Sequence, residues 1–444
     1  MEEVLIPAGT APPVALASSS RRFRWLAFAL IFGLLLSDYM SRQVLNAVFP
    51  LLKLEWSLTD TQLGSLSSIV ALMVGILTVP VSLMADRFGR ARSLTAMALI
   101  WSVATLGCGL AAHYEHMLVA RFCVGVGEAA YGSVGLAVLL SLFPPSKRAS
   151  LTGAFTSGGA FGAVLGVALG GFVAAHFGWR AAFIAMALFG LVVVLAYGLT
   201  VTESRLERNR FHAGGAGGRR VGGLPRRPGA MRSQLRGLVS APSLMCAYFG
   251  SGLQLFVPFA MMAWLPSYLN RYYALPPAKA ALGAAILFII GGTGMLLCGV
   301  LTDRIGHRAP GRKVTLAVIY CLVSSMLFLT ALHLGPGPAQ LALIAGAMFL
   351  ASGTWGPAGA MVANLAPPAV HATAMAVLTL INNLVGAAPG PQVTGMLADR
   401  VGLLGALQLV PLVSLAAATV FGLGRIWYLR DLRAVEQRNA AAPD

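Results

Sequence analysis

The chain has 444 residues, of which 57% are hydrophobic and only 11% are charged, and its mean hydropathy is +0.77. A soluble domain cannot sustain so apolar a composition, which therefore indicates a membrane protein with many spans. The net charge of +17 would suggest nucleic-acid binding in a soluble protein, so its distribution along the chain decides what it means.

Taken in chain order, twelve apolar segments are each long enough to cross about 30 Å of hydrocarbon as a helix. The segments are residues 24–47, 61–84, 93–112, 117–142, 149–175, 180–201, 243–268, 280–301, 313–334, 338–364, 372–396 and 403–427. The sequence therefore predicts an all-α membrane protein with twelve transmembrane helices. We expect its five cysteines to be free thiols buried within these segments.

The positive charge is concentrated in alternate loops. With Met1 on the cytoplasmic side, 25 of the 32 lysines and arginines fall in tails and loops on that side, and 5 fall in the opposite loops. Cytoplasmic loops of membrane proteins carry such an excess. We therefore expect a multi-pass protein of a bacterial-type inner membrane with both termini in the cytoplasm, and no nucleic-acid partner.

The widest break in hydropathy divides the chain into two halves. Residues 203–240 are rich in arginine and glycine and bury too little to order themselves, so we expect a mobile linker that rests on anionic membrane lipids or binds a specific partner. The predicted division is a cytoplasmic tail (1–23), a six-helix bundle (24–202), the linker (203–240), a second six-helix bundle (241–430) and a cytoplasmic tail (431–444).

A short loop sequence recurs in the two halves. Ser82–Arg90 reads S-L-M-A-D-R-F-G-R, Gly299–Arg308 reads G-V-L-T-D-R-I-G-H-R, and a third copy, G-M-L-A-D-R-V-G, spans Gly395–Gly402. Nested repeats are typical of transporters in which one half rocks against the other around a site at the membrane midplane. The two predicted bundles are therefore pseudo-symmetric.

Of the fifteen acidic residues, only Asp38 and Glu128 lie deep in apolar segments. Such charges are costly unless they face a cavity, a partner or an ion path. Arg42 follows Asp38 by one turn, and Arg121 shares a helical face with Gly125 and Glu128. Two carboxylates at one depth beside two guanidiniums suit proton coupling by Glu128, helped by Asp38, and anion binding by Arg42 and Arg121. A structural ion pair that joins two helices is the alternative.

The coupling would be a competition for arginine, because an anion that takes the arginine leaves the carboxylate readier to hold a proton. Ser41 and Tyr131 complete the candidate substrate contacts of the first half. The second half has no charge within its apolar segments, so it would contribute shape and hydrogen bonds, with helix packing as the alternative role of each side chain. Its candidates are Gln254, Trp355, Asn382 and Asn383.

The sequence has no pattern for catalysis. Its seven histidines sit at loops or segment ends with no nucleophile or metal-ligand spacing beside them. The phosphate-binding loop of an ATP-driven pump is absent too. We therefore expect no enzyme activity, no metal and no cofactor, and transport that is passive or driven by a gradient.

These motifs together resemble the major facilitator superfamily. The resemblance covers residues 24–430 and rests on the loop at 82–90, on Arg121 and Gly125 in the fourth helix, and on the glycine-rich fifth helix. In the first loop, Ser82 and Met84 stand where glycine and leucine are usual.

The loop motif places carboxylates at helix ends beside arginines, where they could clamp one side of the transporter. It predicts the gating residues Asp86, Arg87, Arg90, Asp303, Arg304 and Asp399. We expect substitution of Asp86 to shift the conformation more than substitution of Asp60.

Within the superfamily, residues 125–131, 264–271 and 390–399 are most similar to bacterial Spinster-like lipid transporters. Residues 125–129 and 177–183 are similar to the anion:cation symporters, which carry sugar acids and other organic anions. Both branches commonly have an Asp-Arg pair in the first helix, whereas this chain has Ser41 before Arg42. The missing aspartate leaves proton-independent uniport open.

The sequence thus predicts a monomeric secondary transporter that moves an amphipathic organic anion or a lysolipid-like solute by alternating access with proton coupling. The alternatives are symporter-like uptake of a small organic acid, uniport, and a receptor that keeps the fold but transports nothing.

Overall fold

The computed structural model describes residues 21–210, 241–308, 311–366 and 371–440. These residues form helices and no strand. Within the described ranges, twelve helical segments are long and apolar enough to cross a membrane. The predicted all-α class and its twelve spans are therefore confirmed.

Within residues 21–210, the first half contains seven longer α-helices and one short one. They are α1 (Arg21–Trp56), α2 (Asp60–Phe88), α3 (Arg90–Gly109), α4 (Tyr114–Glu128), α5 (Tyr131–Leu142), α6 (Arg148–Phe177), α7 (Trp179–Thr200) and the short α8 (Glu203–Asn209). The helices α4 and α5 make up one span that is interrupted at residues 129–130.

The second half contains two interrupted spans. Its helices are α9 (Pro242–Tyr272), α10 (Pro277–Arg308), α11 (Gly311–His333), α12 (Pro338–Ala351), α13 (Trp355–Leu365), α14 (His371–Ile381), α15 (Pro389–Leu409) and α16 (Leu412–Ala440). A 3-10 turn (Ser352–Thr354) joins α12 to α13, and a π-helical segment (Asn382–Ala387) joins α14 to α15.

Successive spans run in opposite directions, so α1 begins and α16 ends on the same side of the molecule. We call this side the terminal face. The distal face is the opposite side, where α1 ends at Trp56 and α9 ends at Tyr272.

The helix that carries most of the predicted site, α1, is held closely against α6. A methyl group added to Gly166 of α6 would lie 2.7 Å from both the Cα atom and the carbonyl oxygen of Met40 in α1. Gly162 and Gly170 approach Leu36 and Val44 in the same way. Because only glycine leaves room for this approach, the two backbones are in direct contact and α1 has a fixed position in its bundle.

The helices extend beyond the predicted domain boundaries. Residues 203–209 of the predicted linker form α8, because Leu206 is buried and the Glu203 carboxylate accepts the Ala91 backbone N–H at the start of α3 at 2.9 Å. The helix α16 continues into the predicted tail, where the Asp431 carboxylate accepts the backbone N–H and hydroxyl of Ser243. Residues 1–20, 211–240 and 441–444 of the predicted tails and linker lie outside the described residues.

All five cysteines are free thiols, as predicted. Three of them, Cys108, Cys298 and Cys321, are buried, whereas Cys123 and Cys246 are half-buried.

Candidate functional site

The fourth span is interrupted beside its buried carboxylate. The helix α4 ends at Glu128, residues 129–130 form a turn, and α5 begins at Tyr131. The Thr78 hydroxyl of α2 donates to the Ala129 carbonyl at 2.6 Å, which satisfies a backbone group at this break. Glu128 therefore lies at a discontinuity in mid-span, where transporters commonly place substrate or ion sites.

Two buried carboxylates share one guanidinium. The Arg42 Nε donates to Glu128 Oε2 at 2.5 Å and lies 3.4 Å from Asp38 Oδ1. Only 4% of Asp38 and 3% of Glu128 is exposed, and no described residue donates a hydrogen bond to Asp38 Oδ1. The Ser41 hydroxyl donates to the Asp38 carbonyl at 2.7 Å and lies 3.3 Å from Glu128 Oε1. Ser41 therefore contacts the proposed proton carrier directly.

Arg121 has different partners from those of Arg42. It is 1% exposed and donates to the backbone carbonyls of Leu66 at 3.2 Å and Ser41 at 3.0 Å, with a longer contact to the Arg42 carbonyl at 3.5 Å. Among the described residues no carboxylate lies within ion-pair distance of it. The structure therefore brings Arg42, but not Arg121, into contact with the carboxylates. The positive charge of Arg121 is held by carbonyl dipoles, which tie α4 to α1 and α2.

A cavity of about 30 Å³ lies between the two halves beside the two arginines. Its polar side comes from the first half, and its apolar side comes mainly from the second half. The polar lining is Arg42, Gln43, Asn46, Ser67 and Arg121, and the apolar lining is Val70, Ala71, Phe259, Met262, Ala387 and Pro391. In this conformation the cavity has room for one or two water molecules.

Gln43, Asn46 and Ser67 are cavity residues that the sequence interpretation missed. Their polar side chains occur within apolar segments, and Asn46 follows Arg42 by one helical turn. The spacing from Arg42 places Asn46 on the same helical face and could have identified it as a cavity residue. The orientation of Gln43 toward the same cavity depends on the rotation of α1, which hydropathy does not define.

Several predicted substrate contacts lie elsewhere. Tyr131 is buried against Trp101, and its hydroxyl donates to the Ile31 carbonyl at 2.6 Å. Gln254 is fully buried and its amide is 3.4 Å from the Ala351 carbonyl, where α12 ends. Both residues therefore pack between helices and do not line this cavity.

The remaining candidates also lie outside the cavity lining. Trp355 is exposed at the start of α13. Asn382 and Asn383 begin the π-helical segment. The Asn383 amide donates to the Thr379 carbonyl, and the buried Asn382 Oδ1 accepts no hydrogen bond from the described part of the chain.

The predicted gates at the terminal face make contacts within their own halves. Asp86 pairs with Arg90 at 2.9 Å, and Asp303 lies 3.6 Å from Lys313. Arg87 and Arg304 are exposed. In the described part of the chain, no ion pair of these two loops joins the halves.

The halves are joined instead at the distal face, by a cluster that we call the distal latch: Lys53, Asp60, Arg271 and Asp399. Asp60 is 3% exposed and accepts bonds from Lys53 at 2.6 Å and from both terminal nitrogens of Arg271 at 2.6 and 2.8 Å. The Asp399 carboxylate accepts the backbone N–H groups of Asp60 and Thr61 at 2.7 and 2.9 Å. Thus Asp399 accepts hydrogen bonds from the other half, whereas the ion pairs of Asp86 and Asp303 among the described residues stay within their own halves. The sequence predicts a larger role for Asp86 than for Asp60, and the structure joins the halves through Asp60.

Contacts between the halves weaken toward the terminal face. Near the distal face, Gly171 of α6 lies directly against Ala281 of α10. Nearer the terminal face, Gly153 of α6 and Gly299 of α10 each have open space beside them. The described conformation is therefore closed at the distal face.

The chain is similar to a known protein family and to named transporters. The model of the Major Facilitator Superfamily matches residues 31–391. The chain is 26% identical to the "Probable L-galactonate transporter" of Escherichia coli (strain K12) over 71% of each chain. It is 27% identical to the "Probable 4-methylmuconolactone transporter" of Cupriavidus pinatubonensis over 92% of this chain and 90% of that protein.

A solved structure has the same fold. It is the crystal structure of a bacterial homolog of the human lysosomal transporter Spinster, in an inward-facing and unoccupied conformation. The TM-score is 0.82 at 21% identity, and the match covers 93% of this chain and 99% of that one.

Proposed function

The chain belongs to the Major Facilitator Superfamily, and we propose that it moves an amphipathic organic anion across the membrane by alternating access, coupled to protons. The observation that carries this proposal is the position of Arg42. This residue pairs with Glu128 and also lines the cavity that it shares with Arg121. An anion in the cavity would therefore compete directly with Glu128 for the same guanidinium.

The charge of the site supports coupling to one proton. The site contains two carboxylates, Asp38 and Glu128, and two guanidiniums, Arg42 and Arg121, so its charges balance when no anion is bound and both carboxylates are ionised. A bound monoanion adds one uncompensated negative charge among residues that are almost fully buried. Such a charge is costly within a membrane, and one proton on a carboxylate removes it. The loaded site with one proton and the empty site without it thus have the same net charge.

Glu128 is the proposed proton carrier, and Asp38 is its helper. Glu128 has the shorter contact with Arg42. Its ionised form therefore loses more electrostatic stabilisation when an anion draws that guanidinium into the cavity. Asp38 contacts the same nitrogen at a longer distance. Glu128 is therefore the carboxylate whose pairing with Arg42 changes most when an anion binds, and Asp38 is its neighbour.

The charge distribution supports an orientation for the transporter. With the terminal face in the cytoplasm, 25 of the 32 basic residues lie on the cytoplasmic side. The described conformation, which is closed at the distal face, would then have its outer side closed. One chain supplies both sides of the cavity, which supports a monomer as the working unit.

The lining of the cavity supports an amphipathic substrate. Two guanidiniums on one side suit a carboxylate or phosphate, and Phe259, Met262 and Ala387 on the other suit an apolar group. Relatives named for galactonate and 4-methylmuconolactone transport favour a small organic acid, whereas the structural likeness to a Spinster homolog accompanies the lysolipid alternative.

The test is accumulation in proteoliposomes. A thermal-shift screen of organic acids and lysolipids first identifies a ligand, since binding to the folded protein raises its melting temperature. With that ligand, Glu128→Gln should abolish accumulation driven by a pH gradient and spare counterflow exchange, because a neutral side chain carries no proton but still permits the conformational change.

Glu55→Gln is the matched control, because Glu55 pairs with Arg180 at the distal surface of the same half. It should accumulate the ligand as the parent does. Accumulation by Glu128→Gln at the parent level would refute the assignment of the carrier. A parent protein that exchanges the ligand but ignores the pH gradient would establish uniport.

A further inference from the structure

The proposed coupling uses the two arginines of the cavity and leaves its amide side chains without a role. Gln43 and Asn46 are both buried, at 6% and 3% exposure, in a segment that faces the other half of the molecule. Burying an amide group without a hydrogen-bond partner costs free energy. Any donor or acceptor of this pair that the protein leaves unpaired is therefore available to a ligand.

Three side chains form a directed series of hydrogen bonds. The Ser67 hydroxyl of α2 donates to Asn46 Oδ1 at 3.3 Å, and the Asn46 amide donates to Gln43 Oε1 at 2.7 Å. This series uses the acceptor oxygen of Gln43. The Gln43 Nε2 group has no hydrogen-bond partner among the described residues, and its side chain lines the cavity.

Gln43 therefore offers N–H donors beside two guanidiniums. The arginines suit the charged group of the anion, because they bind carboxylates with parallel hydrogen bonds. A neutral amide donor next to them suits a neutral acceptor, such as a hydroxyl or carbonyl oxygen. The cavity admits a group of one or two water volumes here, which is the size of one hydroxyl-bearing carbon.

We propose that Gln43 is a specificity residue, held in place by Asn46 and Ser67, that donates a hydrogen bond to a hydroxyl oxygen of the bound anion close to its carboxylate. This inference rests on the proposed anion transport and refines it, because it selects hydroxylated carboxylates over unsubstituted ones. A site that is built to bind a hydroxyl group discriminates strongly against an analogue that lacks it, since its own polar group is then left unpaired.

The test compares 2-hydroxyhexanoate with hexanoate, two six-carbon monocarboxylates of equal charge that differ only in one hydroxyl group beside the carboxylate, binding to the purified full chain at fixed pH and ionic strength. The parent should bind 2-hydroxyhexanoate at least roughly tenfold more tightly than hexanoate. Gln43→Met, which keeps the length of the side chain and removes the amide, should lower that ratio by roughly tenfold, with hexanoate affinity within about twofold of the parent value.

Two further variants provide an independent test and a control. Ser67→Ala leaves Gln43 in place and removes the first bond of the series, so it should lower the ratio by a smaller factor, about threefold. Gln408→Met is the control for loss of an amide, because Gln408 donates to the Leu332 carbonyl outside the cavity. It should leave the ratio unchanged. If Gln43→Met does not fold, Ser67→Ala decides the question alone.

The proposal is overturned if Gln43→Met keeps the parent ratio, if the parent binds hexanoate as tightly as 2-hydroxyhexanoate, or if only a lysolipid such as lysophosphatidylglycerol binds. Failure of the proposed anion site has a different signature. In that case Arg42→Gln would bind both acids as tightly as the parent, whatever the ratio in the Gln43 variant.

Discussion

Arg271 of α9 and Asp60 of α2 form a bidentate ion pair between the two halves of the molecule, with nitrogen–oxygen distances of 2.6 and 2.8 Å. The pair is partly shielded from water because Asp60 is nearly buried and also accepts a bond from Lys53. Removing one partner of a shielded pair leaves the other without its counter-charge. This relationship identifies the distal latch as the contact that must break when the distal face opens.

Asp60→Asn should therefore favour opening of the distal face. We expect at least a roughly tenfold rise in the distally open fraction, because the lost ion pair stabilises only the closed state. Spin labels at Leu110 and Leu334, which are exposed at the distal ends of opposite halves, would report a longer distance.

Glu55→Gln is the control for the latch, because it removes an ion pair at the same face within a single half. Asp86→Asn should also leave this distance distribution near that of the parent, since the ion pair of Asp86 with Arg90 lies within its own loop. Equal shifts in the Asp60, Asp86 and Glu55 variants would show that the latch does not hold the closed state.

The position of the helper carboxylate can be moved by one turn. Ser41→Asp should make the protein less stable as pH rises above about 4, the ordinary pKa of aspartate in an unfolded chain, by roughly 3–5 °C in melting temperature. The reason is that Ser41 contacts Glu128, so an ionised aspartate would add a third negative charge beside Arg42. Thermal unfolding at several pH values measures the effect.

The compensating variant carries both Asp38→Ser and Ser41→Asp. It returns the number of carboxylates to two and should regain the pH dependence of the parent. A Ser41→Asp protein that is as stable as the parent at high pH would mean that the new carboxylate lies away from Glu128.

Glycines of α6 allow a direct comparison within one helix. Gly166→Ala should destabilise the protein by about 1–3 kcal/mol, because the added methyl group would overlap the backbone of Met40. Gly153→Ala has no neighbour within 4 Å and should be neutral or stabilising by up to about 1 kcal/mol through helix propensity. Thermal unfolding in detergent measures both variants, and similar melting temperatures would contradict the close contact between α1 and α6.

The proposed orientation predicts which surface thiols are reachable from outside. In intact cells, a membrane-impermeant maleimide should label a cysteine at Ala112 and miss one at Glu207, because these exposed positions lie on opposite faces. The half-buried thiols Cys123 and Cys246 are replaced first so that they give no background. Labelling of Glu207→Cys from outside would reverse the orientation.

The sequence predicts the fold well because each span must be apolar and satisfy its own backbone hydrogen bonds. It also identifies Asp38, Arg42 and Glu128, since charges are rare within such segments and α1 and α4 place all three in contact. It does not separate Tyr131 and Gln254, which lie outside the lining of the described cavity, from the side chains that form that lining. Polar side chains in a membrane protein often find partners between helices, and hydropathy does not separate those from residues that face a cavity.

Contacts between the halves are harder to predict for another reason. The repeated loop motif marks Asp86 and Asp303, but it does not say which face is closed in a given conformation. Arg271 is the last residue of a stretch that resembles the Spinster-like proteins, whereas its partner Asp60 lies in none of the motifs identified in the sequence. Their meeting depends on how the two bundles are arranged in space.

The π-helical segment Asn382–Ala387 determines what the deletion of one residue would do to this span. A π turn contains about one residue more than an α turn, and each residue of an α-helix rotates the chain by about 100°. Loss of a single codon here would restore an α-helix and rotate α14 by roughly that angle relative to α15. A deletion of three nucleotides would thus present a different set of side chains to α2 and α9, while Asp399, near the other end of the span, kept its contact with the start of α2.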